Sequence, residues 1–232
     1  KAEIVDSDGV GHLVDEFDSK VVRRIHSHHL PPQCAVDDDG TTDLVSAEIY
    51  ELEANGVETL VLTGDHQSQT IDGHYKITEH VLDIADDAGV ERIYGLGGVA
   101  TGELVEEYDV VGAANSEALV EEMTEHGVEF GEGEPEGGIV GVSGLLLGLG
   151  KRRGFDGVCL MGETSGYLVD PKSAQAVLDV LCETLDFEVD TEKLEDRAEE
   201  MEEVVKRLEE INQDPGGGMG SFPADDDLRY IG

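Results

Sequence analysis

Short apolar runs rich in β-branched residues recur along this chain, and most of them end near glycine, aspartate or asparagine. Runs of this length, bounded by residues that favour turns, are typical of β-strands. The predicted strands are 21–25, 44–52, 57–63, 92–96, 109–113 and 157–161. The segments between them therefore decide the fold class.

Helical periodicity occupies several of those segments. Four apolar residues share one side of a predicted helix at spacings of four, three and four: Ile77, Val81, Ile84 and Ala88. Gly89 follows as a stop signal, because glycine readily adopts the left-handed conformation that ends a helix. A shorter apolar face over 119–123 ends before Gly127, and a short first helix is predicted over 12–17.

A further helix is predicted to begin at Asp170-Pro171. Asp is a good N-cap, and Pro fits the first helical position, where its missing N–H costs nothing. Its apolar face is Ala174, Val177, Leu178, Leu181, Cys182 and Leu185. Strands that alternate with such helices favour an α/β fold with a largely parallel sheet covered on both faces.

The composition changes after residue 190. Five residues at spacings of four and three mark a charged helix with a narrow apolar stripe over 191–212: Leu194, Ala198, Met201, Val205 and Leu208. This helix can pack on its own domain or on a second copy, and the stripe is too short to decide between them. Residues 213–232 are too polar and glycine-rich to fold alone, so we expect a flexible tail. The predicted organisation is a sandwich domain over 1–190, this helix, and the tail.

Charge restricts the environment and the partners. The chain has 15 Lys and Arg against 54 Asp and Glu, a net charge of -39 spread along its whole length. Such self-repulsion is screened at molar salt, where the Debye length is about 3 Å, so we expect a halophile's salt-rich cytosol. A role in binding basic partners would need acids clustered on one element. Nucleic-acid binding is disfavoured because no Lys/Arg stripe exists to contact phosphates.

Cysteine usage and hydropathy argue against disulfides, a structural zinc site and a membrane segment. Cys34, Cys159 and Cys182 are odd in number, lie far apart and include no C-x-x-C pair, so neither a disulfide framework nor a structural zinc site is expected. The most apolar stretch, 138–150, is shorter than the roughly 20 residues that span a bilayer. We therefore expect a cytoplasmic protein with no membrane segment and no cofactor.

Polar residues follow several predicted strands, where ligands bind in open parallel sheets. The candidate pocket residues are Asp65, His66, Asn115, Glu163, Thr164 and Ser165. An acid, an imidazole and a hydroxyl that converge there can support a hydrolytic or phosphorolytic site. The structural alternative is that these side chains only satisfy turns and helix starts.

Two weaker signals have structural explanations. Gly141-Val142-Ser143-Gly144 resembles a nucleophile elbow, but G-x-S-x-G requires a glycine where Leu145 stands, which argues against a serine hydrolase. His26, His28 and His29 crowd one strand end, and an i,i+2 pair on a strand shares a face as metal ligands need. No completing ligand is evident from spacing, so a structural histidine cluster before Pro31-Pro32 is the preferred interpretation.

Three segments resemble one protein family. They are the strand end and Pro-Pro loop IHSHHLPPQ at 25–33, GIVGVSGLLLGL at 138–149, and LMGETSGY at 160–167 continuing into DPKSA at 170–174. Together, in this order, they resemble the archaeal branch of the proteasome assembly chaperone family over roughly residues 9–212. The resemblance implies a three-layer α/β/α sandwich of the phosphorylase/hydrolase-like kind, self-association with itself or a related chain, and docking on the α subunits of the proteasome core particle.

The resemblance also implies that the C-terminal tail anchors between those α subunits. The family pattern is a hydrophobic residue, Tyr and any residue at the extreme end, with the terminal carboxylate as part of the anchor. Here Tyr230 is third from last and follows Arg229, so the match is partial. The predicted anchor residues are Leu228, Tyr230, Ile231 and Gly232.

The sequence thus favours a non-enzymatic assembly chaperone. The alternative is an enzyme that uses the strand-end pocket, either an ATP-grasp-like carboxylate-amine ligase or a nucleoside phosphorylase or hydrolase. The chain shows no phosphate-binding loop and no clear acid cluster for a metal, which weakens the ligase alternative. The phosphorylase alternative rests on fold analogy alone.

Overall fold

A computed structural model describes residues 2–5, 8–36, 39–102, 105, 108–131, 138–165, 171–191, 194 and 198. Its strands are β1 (Ala2–Val5), β2 (Lys20–Ile25), β3 (Cys34–Val36), β4 (Thr42–Leu44), β5 (Ala47–Ala54), β6 (Val57–Thr63), β7 (Arg92–Ala100), β8 (Val110–Ala114) and β9 (Asp156–Thr164). Its helices are α1 (Asp8–Glu16), α2 (Ile71–Ala88), α3 (Glu117–Glu125), α4 (Val142–Arg153) and α5 (Pro171–Leu185).

Seven strands form one sheet in the order β2-β5-β6-β1-β7-β9-β8. The four central strands, which are β6, β1, β7 and β9, run parallel to one another. The strands at both edges run antiparallel to their neighbours. The antiparallel pairing of β5 with β6 has a local cause. Asn55-Gly56 joins the two strands with both residues at positive φ, as a two-residue hairpin turn requires. The predicted parallel sheet is therefore confirmed for its centre only.

Helices cover both faces of the sheet. One core joins the sheet to α1, α3 and α5, through residues such as Leu13, Met123 and Leu178. The other core joins the opposite face to α2 and α4, through residues such as Val81 and Leu146. The α/β/α sandwich predicted for this chain is confirmed.

Strand β9 shows why the central runs are apolar throughout. Val158 and Leu160 pack in the α5 core, while Cys159 and Met161 pack against Leu147 of α4. Because successive side chains point to opposite faces, a strand buried on both sides needs apolar residues at every position.

The ends of α2 follow the sequence signals. The Thr70 hydroxyl accepts a hydrogen bond from the Gly73 backbone N–H at 3.1 Å, which caps the first turn. Gly89 ends the helix with φ 69°, and its N–H bonds back to the last turn. The predicted stop at this glycine is confirmed.

Several elements differ from the sequence prediction. The run 44–52 is not one strand, because β4 ends at Leu44 and β5 begins at Ala47. The first helix begins at Asp8, four residues before the predicted start. Strands β1 and β3 were not predicted. Helix α4 was not predicted either, because its internal glycines lower helix propensity and hide the periodicity.

The C-terminal region is described at two positions. Leu194 and Ala198 are helical and buried. Thr191, the first residue of the predicted helix over 191–212, is described and is not helical, while the other positions of that helix and the whole tail over 213–232 lie outside the described residues. The division into three parts therefore stays a prediction. Among the helices of the described residues, none is long and apolar enough to cross a bilayer.

Candidate functional site

The carboxyl edge of the parallel strands is the candidate site. Strands β6, β7 and β9 end there at Thr63, Ala100 and Thr164. Helix α4 begins at the same edge, since the side chain of Gln67, just after β6, reaches to within 3.1 Å of where a Cβ on Gly141 would lie. Ligands of open α/β sheets bind at edges of this kind.

The start of α4 is closely packed. A Cβ on Gly144 would clash with the carbonyl oxygen of Ile139, so only glycine lets the preceding loop fold onto the first helical turn. Ser143 in that turn lies against the sheet, 3.5 Å from the position of a Cβ on Gly95. A loop precedes this serine, whereas a nucleophile elbow follows directly from a strand. Gly144 and Ser143 thus pack α4 against the preceding loop and the sheet.

Asp65 and His66 lie in the loop after β6. The side-chain amide of Gln33 donates a hydrogen bond to Nε2 of His66 at 2.7 Å. This bond joins the loop after β6 to the loop that follows β2. His66 therefore lies just after the end of β6, and its hydrogen-bond partner Gln33 lies in a neighbouring loop.

Glu163, Thr164 and Ser165 lie at the end of β9. The Glu163 backbone N–H donates to the carbonyl of Asp109 at 3.1 Å, and the Thr164 carbonyl accepts from the N–H of Thr101 at 2.9 Å. Ser165 is buried. The backbone of this segment is thus held by neighbouring segments at the sheet edge.

The two candidate groups stand apart. Asp65 and His66 follow β6, whereas Glu163 lies on β9. In the strand order β6-β1-β7-β9, three interstrand gaps separate these two strands, which is roughly 14 Å at about 4.8 Å per gap. General acid–base catalysis needs donor and acceptor within about 3 Å, or one water between them. This separation does not form a compact catalytic cluster.

The prediction that Asn115 lies in the pocket at the carboxyl ends of the strands is wrong. Strand β8 runs antiparallel to β9, so its end lies beside the start of β9 at the opposite edge of the sheet. There the Asn115 side chain donates to the carbonyl of Phe155 at 2.9 Å, and its backbone N–H donates to Gly157. The residue secures a turn and belongs to no strand-end pocket.

The histidine cluster holds the loop after β2 against α2. The rings of His28 and His29 lie 3.9 Å apart between centroids. Nδ1 of His29 lies 3.3 Å from the Thr70 hydroxyl, and Nε2 lies 3.6 Å from Asp72. Within the part of the chain that the structure describes, no three His, Cys, Asp or Glu side chains are arranged to hold a metal ion.

One of the resolved pKa shifts is on Glu48, which pairs with Thr63 at the end of β6. Burial opposes ionisation of Glu48, but hydrogen bonds from Tyr50 and Arg24 outweigh it, and the pKa of Glu48 falls below its ordinary value. Burial and the nearby Glu48 raise the pKa of Tyr50 to about 12. Burial raises the pKa of the Cys159 thiol to about 12, which makes it unreactive. These shifts belong to ion pairing and core packing.

Exposed apolar side chains are the feature that sequence reasoning missed. The large hydrophobic residues exposed among the described residues are Val36, Leu44, Ile71, Tyr75 and Val140. The first two lie on the hairpin β3–β4, which Asp39-Gly40 turns. An Asp-Gly pair between two short apolar runs is a hairpin signal, and it was available in the sequence. The predicted anchor residues 228–232 lie outside the described residues.

Comparison with known proteins identifies the family. The family model described as "PAC2 family" matches residues 7–209. An uncharacterized protein of Methanocaldococcus jannaschii is 36% identical over 222 residues, which cover 95% of this chain and 85% of that protein.

Two solved structures from Pyrococcus furiosus share the fold. PbaB, described as an archaeal proteasome activator, has a TM-score of 0.81 at 32% identity and covers 90% of this chain and 93% of its own. PbaA, described as an archaeal homolog of proteasome-assembly chaperone, has a TM-score of 0.72 at 26% identity and covers 91% of this chain and 87% of its own. With a family model that matches most of its length, the chain belongs to the PAC2 family.

Proposed function

We propose that this chain is a proteasome assembly chaperone that docks on the α subunits of the core particle and associates with further copies of itself. The similarity to PbaA carries the proposal, because PbaA is described as an archaeal homolog of proteasome-assembly chaperone and matches 91% of this chain with a TM-score of 0.72 at 26% identity. The similarity to PbaB, described as a proteasome activator, supports a role at the proteasome.

Docking is assigned to the C-terminal tail. Leu228 and Tyr230 supply apolar contact area, and the carboxylate of Gly232 supplies a charged hydrogen-bond acceptor. A tail tethered to a folded domain raises the local concentration of that domain at its target. A weak terminal contact is then sufficient to bring larger surfaces together.

The geometry of the strand ends disfavours the enzymatic alternative. His66 is bonded to Gln33, and Glu163 lies three strand gaps away. Because strands this far apart do not present these residues as a compact acid–base pair, the geometry gives no support to a ligase or phosphorylase mechanism that uses both groups. The chaperone proposal needs no chemistry at this edge.

A second role has specific support. The solved structure described as an activator is more similar to this chain than the one described as a chaperone homolog, with 32% against 26% identity. We therefore also consider that the docked protein increases peptide hydrolysis by finished core particles. Both roles require the same docking step.

Docking is tested by a native-gel binding assay with core-particle α subunits in molar potassium chloride. The intact chain is compared with a chain that ends at Asp227 and with Tyr230→Ala. Arg229→Ala is the matched control, because it changes a neighbouring tail residue outside the predicted anchor. One residue added after Gly232 tests the carboxylate.

We expect the intact chain and Arg229→Ala to bind, and the other three variants to lose binding. Equal binding by all variants would show that the tail is not the anchor. Absence of binding by the intact chain would remove the support for the chaperone role.

Two further measurements separate the roles. Assembly of core particles from separate subunits reports a chaperone, and peptide hydrolysis by finished particles reports an activator. The triple variant Asp65→Asn, His66→Ala, Glu163→Gln should retain both activities. If these substitutions abolish assembly while binding is kept, the strand-end residues have a role that the proposal lacks.

A further inference from the structure

Two residues other than glycine have a positive φ in the part of the chain that the structure describes, and they contact each other. They are Asn55, with φ 49°, and Asp186, with φ 54°. Nδ2 of Asn55 donates a hydrogen bond to the Asp186 carbonyl oxygen at 2.5 Å and lies 3.4 Å from Oδ2 of the same residue. Asn and Asp tolerate the left-handed conformation better than most side chains do. The contact therefore joins two points at which the chain changes direction.

This contact fastens the end of α5 to the turn between β5 and β6. Asp186 directly follows α5, and the N–H of Phe187 bonds back to the carbonyl of Cys182 at 3.1 Å, as at a left-handed helix end. The ring of Phe187 packs on Phe17 with centroids 5.6 Å apart. Residues beyond this contact lead into the C-terminal region of the chain.

The residue after Asn55 is a glycine, and both residues are exposed. Gly56 has no side chain to obstruct the approach to its backbone nitrogen. Its N–H forms no hydrogen bond with any of the described residues. The Gly56 nitrogen is therefore free to react with the side-chain amide carbon of Asn55.

That reaction is deamidation. Attack of the Gly56 nitrogen on Cγ of Asn55 forms a cyclic imide, and the Cγ–Nδ2 bond breaks. The backbone proton of Gly56 passes through water to the departing nitrogen, which leaves as ammonia. A water molecule then opens the ring at one of its carbonyl carbons and leaves aspartate or isoaspartate at position 55. Water is the only co-reactant, and nothing is oxidised or reduced.

The other two asparagines of the chain serve as comparisons, since neither precedes a glycine. The side chain of Asn115 donates to the carbonyl of Phe155, and its backbone N–H donates to Gly157. Asn212 lies outside the described residues. Asn115 is therefore the internal reference for a protected asparagine in the same fold.

Deamidation reverses the interaction between Asn55 and Asp186. The amide that donates to the Asp186 carbonyl is replaced by a carboxylate, which only accepts hydrogen bonds. The new charge lies beside the Asp186 carboxylate, and like charges repel. At molar salt the Debye length is about 3 Å, close to this separation, so the repulsion is weakened but not removed. The lost donor and the added charge both loosen the contact.

We propose that Asn55 is a deamidation site and that its modification releases the end of α5 from the β5–β6 turn. The modification is a slow, irreversible change in how the C-terminal region is attached to the sheet. It needs no partner and no catalyst, so it is independent of the proposed function.

The first test is peptide mapping by mass spectrometry while the intact folded chain is incubated at mildly alkaline pH in molar potassium chloride. Trypsin separates the three asparagines into the peptides 25–76, 93–151 and 208–229. We expect the mass gain of deamidation to accumulate in 25–76 and not in 93–151. Fragment ions should assign the gain to residue 55.

The second test is backbone hydrogen exchange over 182–190. Asn55→Asp represents the product, and Asn55→Gly removes the donor without adding a charge, at a position whose φ glycine adopts readily. We expect exchange in Asn55→Asp to be about threefold or more faster than in the wild type, with Asn55→Gly between them. Helix α2 packs on the opposite face of the sheet and should exchange equally in all three chains.

A double variant separates charge from a general disturbance of the turn. Asn55→Asp combined with Asp186→Asn exchanges the amide and the carboxylate between the two positions, and Asn also tolerates a positive φ. The like-charge repulsion is then absent, so exchange over 182–190 should return toward the wild-type rate. Damage to the turn itself would not be rescued in this way.

Three results would overturn the proposal: no greater mass gain in 25–76 than in 93–151, wild-type exchange over 182–190 in Asn55→Asp, or equally fast exchange in Asn55→Asp and the double variant. None of these measurements uses proteasome subunits. Failure here therefore leaves the docking proposal untouched.

Discussion

Gly162→Ala is expected to destabilise the protein because α5 leaves no room for a side chain at this point of β9. An added Cβ would lie 2.4 Å from the Ser173 hydroxyl and 2.6 Å from the Ser173 carbonyl oxygen. Ordinary contacts begin near 3.5 Å, so the helix would have to move by about 1 Å. That movement would loosen Val177 and Leu178, which are buried in the core beneath α5.

The expected cost is about 2–3 kcal/mol, within the range for overpacked cores. For a domain of this size each kcal/mol lowers the melting temperature by about 2–4 °C, so we expect a fall of about 4–12 °C. Thermal unfolding by circular dichroism in molar salt measures it. Gly97→Ala is the matched control, since its Cβ would meet only Met161 at 3.7 Å. Equal melting temperatures for the two variants would refute the packing argument.

Three further outcomes are expected. Thr70→Ala removes the cap on Gly73 and should lower stability by about 1 kcal/mol, measured by the same thermal assay, whereas Thr70→Ser should keep most of it. The pKa of Glu48 is lower in the folded chain than in the unfolded chain, so its stabilisation is present above about pH 4.3 and is lost as the pH falls through the folded value. The melting difference between the wild type and Glu48→Gln should therefore shrink on acidification, and a constant difference would contradict the assignment. Lowering the salt from molar to millimolar concentrations should reduce the melting temperature, because a charge of -39 is then unscreened; no change would count against the halophilic interpretation.

The sheet strands that were predicted correctly share a local cause. The run 57–63 coincides with β6 because its apolar residues are buried on both faces and turn residues bound it at Asn55-Gly56. The end of α2 was predictable because Gly89 has a backbone conformation that other residues rarely adopt. Such signals act within a few residues and need no knowledge of the remaining fold.

The candidate site was less predictable. Asp65 and Glu163 were recognised as strand-end residues, but their separation depends on the two strands that lie between β6 and β9. The contact of His29 with Thr70 and Asp72 joins segments about forty residues apart. The exposed residues Ile71 and Val140 could not be distinguished from core residues, because hydrophobicity alone does not report burial.

By itself, the sequence determined the alternation of strands and helices, the apolar centre of the sheet and the motifs that mark the family. Apart from the β5–β6 hairpin, whose Asn55-Gly56 turn is local, only the tertiary structure decided the order and direction of the strands. Asn115 shows the consequence: antiparallel pairing of β8 with β9 moved it to the opposite edge of the sheet. The physical reason is that turns and helix caps are local, whereas strand pairing is selected by the free energy of burying the whole sheet between two helical layers.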